Sequence, residues 1–187
     1  PSLSLAESPW TALRDGLEVS VRTLPKSEDS RRLVVHALRV DLAKSSLQVL
    51  RPKTGRVDYV SAMRADSGAE AAINGSFFLE DQTPLGLLIS EGTESNPLRK
   101  VDWGVFSIGS DGEASLVHTR DWKSSKSVQF AIQAGPRLVV DGKPLTFRDS
   151  MARRSALCLI NSKTLIIVAT ENAVFMKDMA DFLARST

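Results

Sequence analysis

Three short segments place polar side chains inside runs that otherwise read as buried strand. In Ala72-Ile73-Asn74-Gly75-Ser76-Phe77-Phe78, an amide, a glycine and a hydroxyl interrupt an apolar stretch. Asn74 offers two donors and an acceptor, and Gly75 lets a ligand or a second backbone come close, so the segment can hold a sugar hydroxyl or a reacting phosphate. An Asn-Gly turn or bulge is the other reading of the same residues. Gln133-Ala134-Gly135-Pro136-Arg137 breaks a second pair of apolar runs at a Gly-Pro corner. Strand ends are where ligands meet a sheet, but Gly-Pro is also a common turn, with Arg137 as a solvated turn residue. In Arg153-Arg154-Ser155-Ala156-Leu157, two guanidinium groups and a hydroxyl lead straight into an apolar strand. A guanidinium is a planar fork of donors that fits phosphate or carboxylate bidentately. Its alternatives are an exposed basic pair or a structural ion pair.

Carboxylates that can do acid, base or nucleophilic work lie beside these segments: Glu80, Asp81, Asp141, Asp149 and Glu171. Most of them are expected to serve as turn or cap residues. His36, between Val34 and Leu38, is expected on the inward face of a strand as a satisfied core histidine, with general acid or base as the alternative. Cys158, embedded in Ala156–Ile160, reads as a small buried hydrophobe, since a nucleophilic thiol wants a neighbouring histidine and partial exposure. With one cysteine and two histidines, the chain can form no internal disulfide and shows no zinc-ligand spacing, so neither metal nor cofactor is expected.

The elements that position these groups follow from composition and pattern. At 187 residues, 42% hydrophobic and 25% charged, the chain is expected to be a single globular domain over 1–187. Its 24 basic and 22 acidic side chains balance too closely to imply a nucleic acid or a membrane surface as partner, so any anion site must be local. The longest apolar run, Leu165–Ala169, is far short of the ~20 residues that a membrane-spanning helix needs. The start at Pro1 is that expected of a processed or trimmed form. Short apolar runs punctuated by Gly, Pro, Asn, Asp and Ser predict strands at Leu17–Leu24, Leu33–Leu42, Leu47–Arg51, Ala71–Phe78, Gly86–Ser90 and Gly104–Ile108. Further strands are predicted at Ala114–His118, Gln129–Gln133, Arg137–Val140, Ser155–Ile160 and Leu165–Thr170. Ser110-Asp111-Gly112 and Asp141-Gly142 predict antiparallel hairpins. Helical periodicity predicts helices at Asp58–Ala65 and Phe175–Arg185, the latter with Phe175, Met179, Phe182 and Leu183 on one face. Glu91–Asp102 and Thr119–Lys126 read as polar loops.

Taken in order, the motifs resemble the phosphodiester glycosidase family. The family's Asn-Gly-Gly-Phe-Phe block, followed by Pro and Gly, is similar to Asn74-Gly75-Ser76-Phe77-Phe78 with Pro84 and Gly86. Its Gly-Gly-Pro-x-Leu-Val-x-x-Gly block resembles Ala134–Gly142, and its Arg-Ser-Ala strand entry resembles Arg154-Ser155-Ala156. Leu38–Leu42 resembles the family's opening strand, so that the likeness runs from about Leu33 onward. Ser76 and Ala134 stand where the family usually has glycine, which implies slightly narrower pockets. The family continues beyond the last helix to a Leu-Asp-Gly-Gly-x-Ser motif that does not occur before Thr187, which implies a domain lacking its C-terminal segment.

The resemblance implies an α+β fold with a curved, mostly antiparallel sheet and a few flanking helices. It also implies hydrolysis of the C1–O bond of a sugar-1-phosphodiester in a cell-surface or exported glycan, without a metal or cofactor. Arg154 and Asn74 are the implied catalytic residues, with Glu80, Glu171 or the Asp of the family's terminal motif as the carboxylate, and with Gly75, Ser76, Phe78, Gln133, Gly135, Arg137, Arg153 and Ser155 around the substrate. Asn74, Gly135 and Arg154 are expected to converge on one concave site. The expected partner is a phosphorylated glycan or sugar phosphodiester, with no nucleic acid, and the expected home is the periplasm or the exterior. A non-catalytic module for anionic glycans, or an exopolysaccharide or peptidoglycan processing factor, is the alternative function.

Overall fold

The computed structural model describes residues 9–24, 33–51, 58–148 and 150–185. Its strands are β1 (Thr11–Arg14), β2 (Leu17–Leu24), β3 (Leu33–Asp41), β4 (Leu88–Ser90), β5 (Thr93–Asn96), β6 (Gly104–Gly109) and β7 (Ala114–His118). They continue with β8 (Val128–Ala134), β9 (Val139–Val140), β10 (Lys143–Pro144), β11 (Met151–Ala152), β12 (Ser155–Asn161), β13 (Thr164–Thr170) and β14 (Val174–Phe175). Two α-helices, α1 (Val60–Ser67) and α2 (Met176–Ala184), complete a mostly antiparallel α+β architecture. Among the described residues no helix is long and apolar enough to cross a membrane. The chain divides into two compact units, Pro1–Ser46 with Arg137–Thr187, and Leu47–Pro136.

The first unit is built on a five-stranded sheet in the order β1-β2-β3-β13-β12. Side chains alternate across a strand, so the pairing of Val168 with Ala37 and of Ala169 with His36 decides what each face carries. Val35, Ala37, Ile166 and Val168 form one face, and Val174, Met179, Phe182 and Leu183 close over it from β14 and α2. The period of α2 explains the fit, because Met179, Phe182 and Leu183 recur at helical spacing and all are buried. Phe175 caps the helix instead of joining that buried stripe.

The same alternation corrects the expectation for His36. Its side chain is 50% exposed, on the face opposite Val35 and Ala37. Both parities of Val34-Val35-His36-Ala37-Leu38 are apolar around the histidine, so pattern alone had no means of choosing the core face.

The second unit has a five-stranded sheet in the order β5-β4-β8-β6-β7. Leu87, Ile89, Val105 and Ala131 make its core, flanked by Leu98, Val117, Trp122 and Val128. The Ser110–Gly112 turn joins β6 to β7, antiparallel as predicted, with Gly112 at φ 73°. In the first unit, Asp141 and Gly142 both take positive φ, 50° and 71°, between β9 and β10, as a type I′ hairpin requires.

Several expectations fail for want of a ladder partner. Leu47–Arg51 and Ala71–Phe78 form no strand, apart from an isolated bridge between Phe78 and Pro84. Conversely, the polar stretch Glu91–Asp102 contains β5, which pairs with β4 across a Glu91-Gly92 turn at φ 50° and 73°. Thr119–Asp121 forms a 3₁₀ turn, capped by the His118 ring accepting from the Arg120 N–H. Because Phe182 is fully buried at the centre of the first core, Phe182→Ala is expected to cost about 3–5 kcal/mol in denaturant unfolding. A loss under about 1 kcal/mol would contradict that packing.

Candidate active site

In the second unit the first two motifs meet. An added Cβ at Gly135 would fall 2.1 Å from Trp103 Cδ1, so the backbone there lies flat against the indole. On the Trp103 side, the Phe77 ring packs at 5.3 Å between centroids and 52° between planes. A Cβ at Gly75 would fall 2.3 Å from Ile132 Cδ1, immediately before Gln133. Close approach, and not a special φ, is what both glycines supply. Phe77 begins a small hairpin in which the Leu85 N–H donates to Phe77 O and the Leu79 N–H to Thr83 O, at 2.8 and 2.9 Å. Phe78 stands 64% exposed on it, and Asn74 is also exposed. Ser76 Oγ is buried with no hydrogen-bond partner among the described residues, an unmet donor beside Asn74.

Gln133 serves this unit differently from its expected contact with substrate. Fully buried, its Oε1 accepts from the Leu87 and Arg99 N–H groups, both at 3.0 Å. Its Nε2 donates to Arg99 O at 2.7 Å and to Thr119 Oγ1 at 3.0 Å. All four amide valences are used, so Gln133 holds the frame beneath Gly86, whose Cα approaches it closely, and has nothing left for a ligand. Glu80 lies exposed at the hairpin tip. Asp81 is a turn carboxylate: the Thr83 N–H donating to it holds its pKa below the ordinary range.

The third motif sits in the first unit, where β3, β12 and β13 end together. Thr170 clamps Arg154 twice: its Oγ1 accepts from the Arg154 N–H at 2.8 Å, and its N–H donates to Arg154 O at 2.7 Å. The Arg154 guanidinium donates through one terminal nitrogen to Ser150 O and Oγ at 3.0 and 2.8 Å. Its Nε is buried and without an acceptor among the described residues. Arg153 is exposed beside it, Arg137 is half-buried ahead of β9, and Asp149 lies outside the described residues. Ser155 opposes Ala169, which opposes His36, so these three share one face while Thr170, opposite Val35, alternates to the other.

Glu171 follows directly. Its N–H donates to Val34 O at 3.0 Å, and Asn172 Oδ1 accepts from the Val34 N–H at 3.1 Å, so one residue of β3 pins the turn from both sides. The Glu171 carboxylate reaches His36 Nε2 at 3.1 Å. Sequence reasoning found Glu171 and Arg154 but neither His36, Thr170 nor Asn172 as their supports, because those contacts cross 16 to 138 residues of chain. Among the described residues no group of three or more His, Cys, Asp or Glu gathers as metal ligands.

With this geometry in hand, the comparisons with known proteins define a class. Residues 67–186 match the phosphodiester glycosidase family, and the chain belongs to that family of glycosidase-type hydrolases. The match begins after Leu38–Leu42, so the opening-strand part of the resemblance lies outside it. An uncharacterised Escherichia coli K12 protein, YigE, is 33% identical over 82 residues, covering 39% of this chain and 32% of the relative. The crystal structure of a hypothetical protein from Synechocystis superposes with a TM-score of 0.64 at 12% identity, over 96% of this chain and 57% of that one. The latter likeness is one of fold. The chain spans about a third of the first relative and just over half of the second.

Two outcomes test this description. Gly135→Ala should destabilise the protein by about 1–3 kcal/mol through overpacking on Trp103, and shortening Trp103 to Leu in the same chain should return part of the loss. Burial pushes the Cys158 thiol from 9.0 up to about 11, so thiol reagents should label native protein slowly at neutral pH. The raised value also means that its contribution to stability is intact below pH 9.0 and is lost as pH rises towards 11, which alkaline denaturation curves of Cys158→Ala against the wild type can resolve.

Proposed function

We propose that the protein hydrolyses the C1–O bond of a sugar-1-phosphodiester, with Arg154 holding the departing phosphate. The observation that carries this reading is the buried Arg154 Nε, a charged donor with no acceptor among the described residues, fixed at a strand mouth by Thr170 and Ser150. An unmet guanidinium nitrogen is costly unless an oxygen arrives to take it, and a phosphate oxygen is such an acceptor. Breaking the sugar C1–O bond releases a phosphomonoester with a second pKa of about 6, so the leaving group needs its charge held more than it needs a proton. Glu171 is assigned to the water side of the reaction.

The substrate on this reading is a phosphorylated cell-surface or exported glycan, which carries with it a periplasmic or secreted home. Arg154→Ala should lower kcat by roughly 10²-fold, more than it raises KM, because charge on the phosphate grows toward the transition state. It should also weaken inorganic phosphate binding in calorimetry, in a way that salt mimics for the wild type. Equal phosphate binding and turnover by the variant would remove Arg154 from the role. Glycan binding by a wild type that releases no sugar from any sugar-1-phosphodiester would make the chain a binding module.

A further inference from the structure

We infer that His36 is the general base of this hydrolysis and that Glu171 is the residue that positions it, an assignment that rests on the hydrolase reading above. His36 Nε2 lies 3.1 Å from Glu171 Oε2. A carboxylate only accepts, so the imidazole proton belongs on Nε2 and the Nδ1 lone pair is left for another donor. Nδ1 makes no hydrogen bond among the described residues, and the ring is 50% exposed, so water reaches it.

The pair is built, not incidental to two mobile side chains. Val34 holds Glu171 and Asn172 through its own carbonyl and N–H, two residues from the histidine on the same strand. His36 itself sits inside the β2–β3–β13 ladder, between Val21 and Ala169. Ala169 presents only a methyl group beside the ring, which leaves its flank open. This arrangement has the form by which an imidazole is oriented for proton transfer, with a carboxylate behind one nitrogen and solvent before the other.

The chemistry closes around one proton. Water adds its oxygen to C1 while the C1–O bond to phosphate breaks, and that electron pair leaves on the phosphate oxygen. The proton lost by the water passes to His36 Nδ1, and the imidazolium that forms is balanced by the Glu171 carboxylate. Alternation puts Thr170, which holds Arg154, on one face of the sheet end and His36 on the other. A sugar phosphate lying across the strand ends therefore has its leaving group and its attacking water on opposite sides, which makes the reaction inverting.

The test is kinetic and stereochemical, with folding of each variant checked by thermal melting. On a sugar-1-phosphodiester, His36→Ala should lower kcat about 10²–10⁴-fold with little change in KM, and added imidazole should restore part of it. Glu171→Gln should lower kcat without raising KM and should cost nothing further in the His36→Ala background, as expected of residues acting as a unit. The first-formed sugar, followed by NMR, should have the anomeric configuration opposite to that of the substrate. Wild-type kcat in His36→Ala, or a product of retained configuration, overturns the assignment while leaving the hydrolase reading standing. Loss of activity without imidazole rescue and with additive Glu171→Gln overturns it as well. A wild type with no turnover overturns both.

Discussion

When β13 lies against β3 with Ala169 opposite His36, every other feature of the first unit follows from that register. Val35, Ala37, Ile166 and Val168 are then turned toward Met179 and Phe182, and the apolar stripe of α2 has a surface to bury against. A slip of β13 by one residue would exchange its faces, turning the β-branched side chains of Ile166 and Val168 away from α2. Burial of those side chains is worth about 1.5–3 kcal/mol each, so the register is strongly held. The same pairing delivers Thr170 to Arg154 and Glu171 to Val34, so the hydrophobic core sets the geometry of the polar cluster at the strand ends.

The second unit reaches rigidity by other means. Its core is small, and a single buried amide does much of the joining: Gln133 connects β8 to the backbone at Leu87 and Arg99 and to the Thr119 hydroxyl. Thr119 in turn donates to Trp103 O, and Trp103 lies between Gly135 and Phe77. A fully satisfied buried network of this kind specifies one arrangement, because any alternative leaves a polar group unpaired in a dry interior. The position of the Asn74 segment is thus an outcome of packing around an indole and an amide well away from it in sequence.

The strengths of the ion pairs separate framework from surface. Arg39 lies 4.6 Å over the Trp10 ring and 2.6 Å from Glu18, whose carboxyl it holds below the usual range. Asp15 with Lys44 and Lys177 with Asp181 are largely solvated pairs and contribute little to stability. The Asp102 carboxylate beside His118 Nε2 differs from the His36 pair, since the other His118 nitrogen is already occupied by the Arg120 N–H. The two histidine–carboxylate pairs therefore differ, one on a nearly buried ring and one on a half-exposed ring.

Much of this was legible in the chain itself. Apolar runs of 5 to 8 residues marked β2, β6, β7, β12 and β13 closely, the helical stripe marked α2, and Asp141-Gly142 marked its hairpin, because each is a local pattern with a local physical cause. The three motifs and the family were also readable, since polar residues set in or beside apolar runs stand out against their neighbours. What the sequence could not determine was pairing. Ala71–Phe78 has strand composition but no partner for its backbone, while the polar Thr93–Asn96 becomes a strand because β4 accepts it. Gln133 has a ligand-binding side chain by type and a framework role by burial. His36, expected on the inward face, lies on the other one because of its pairing with Ala169 of β13. A side chain's type is carried by the chain, but its face, its partner and its access to water are settled by contacts between residues far apart in sequence.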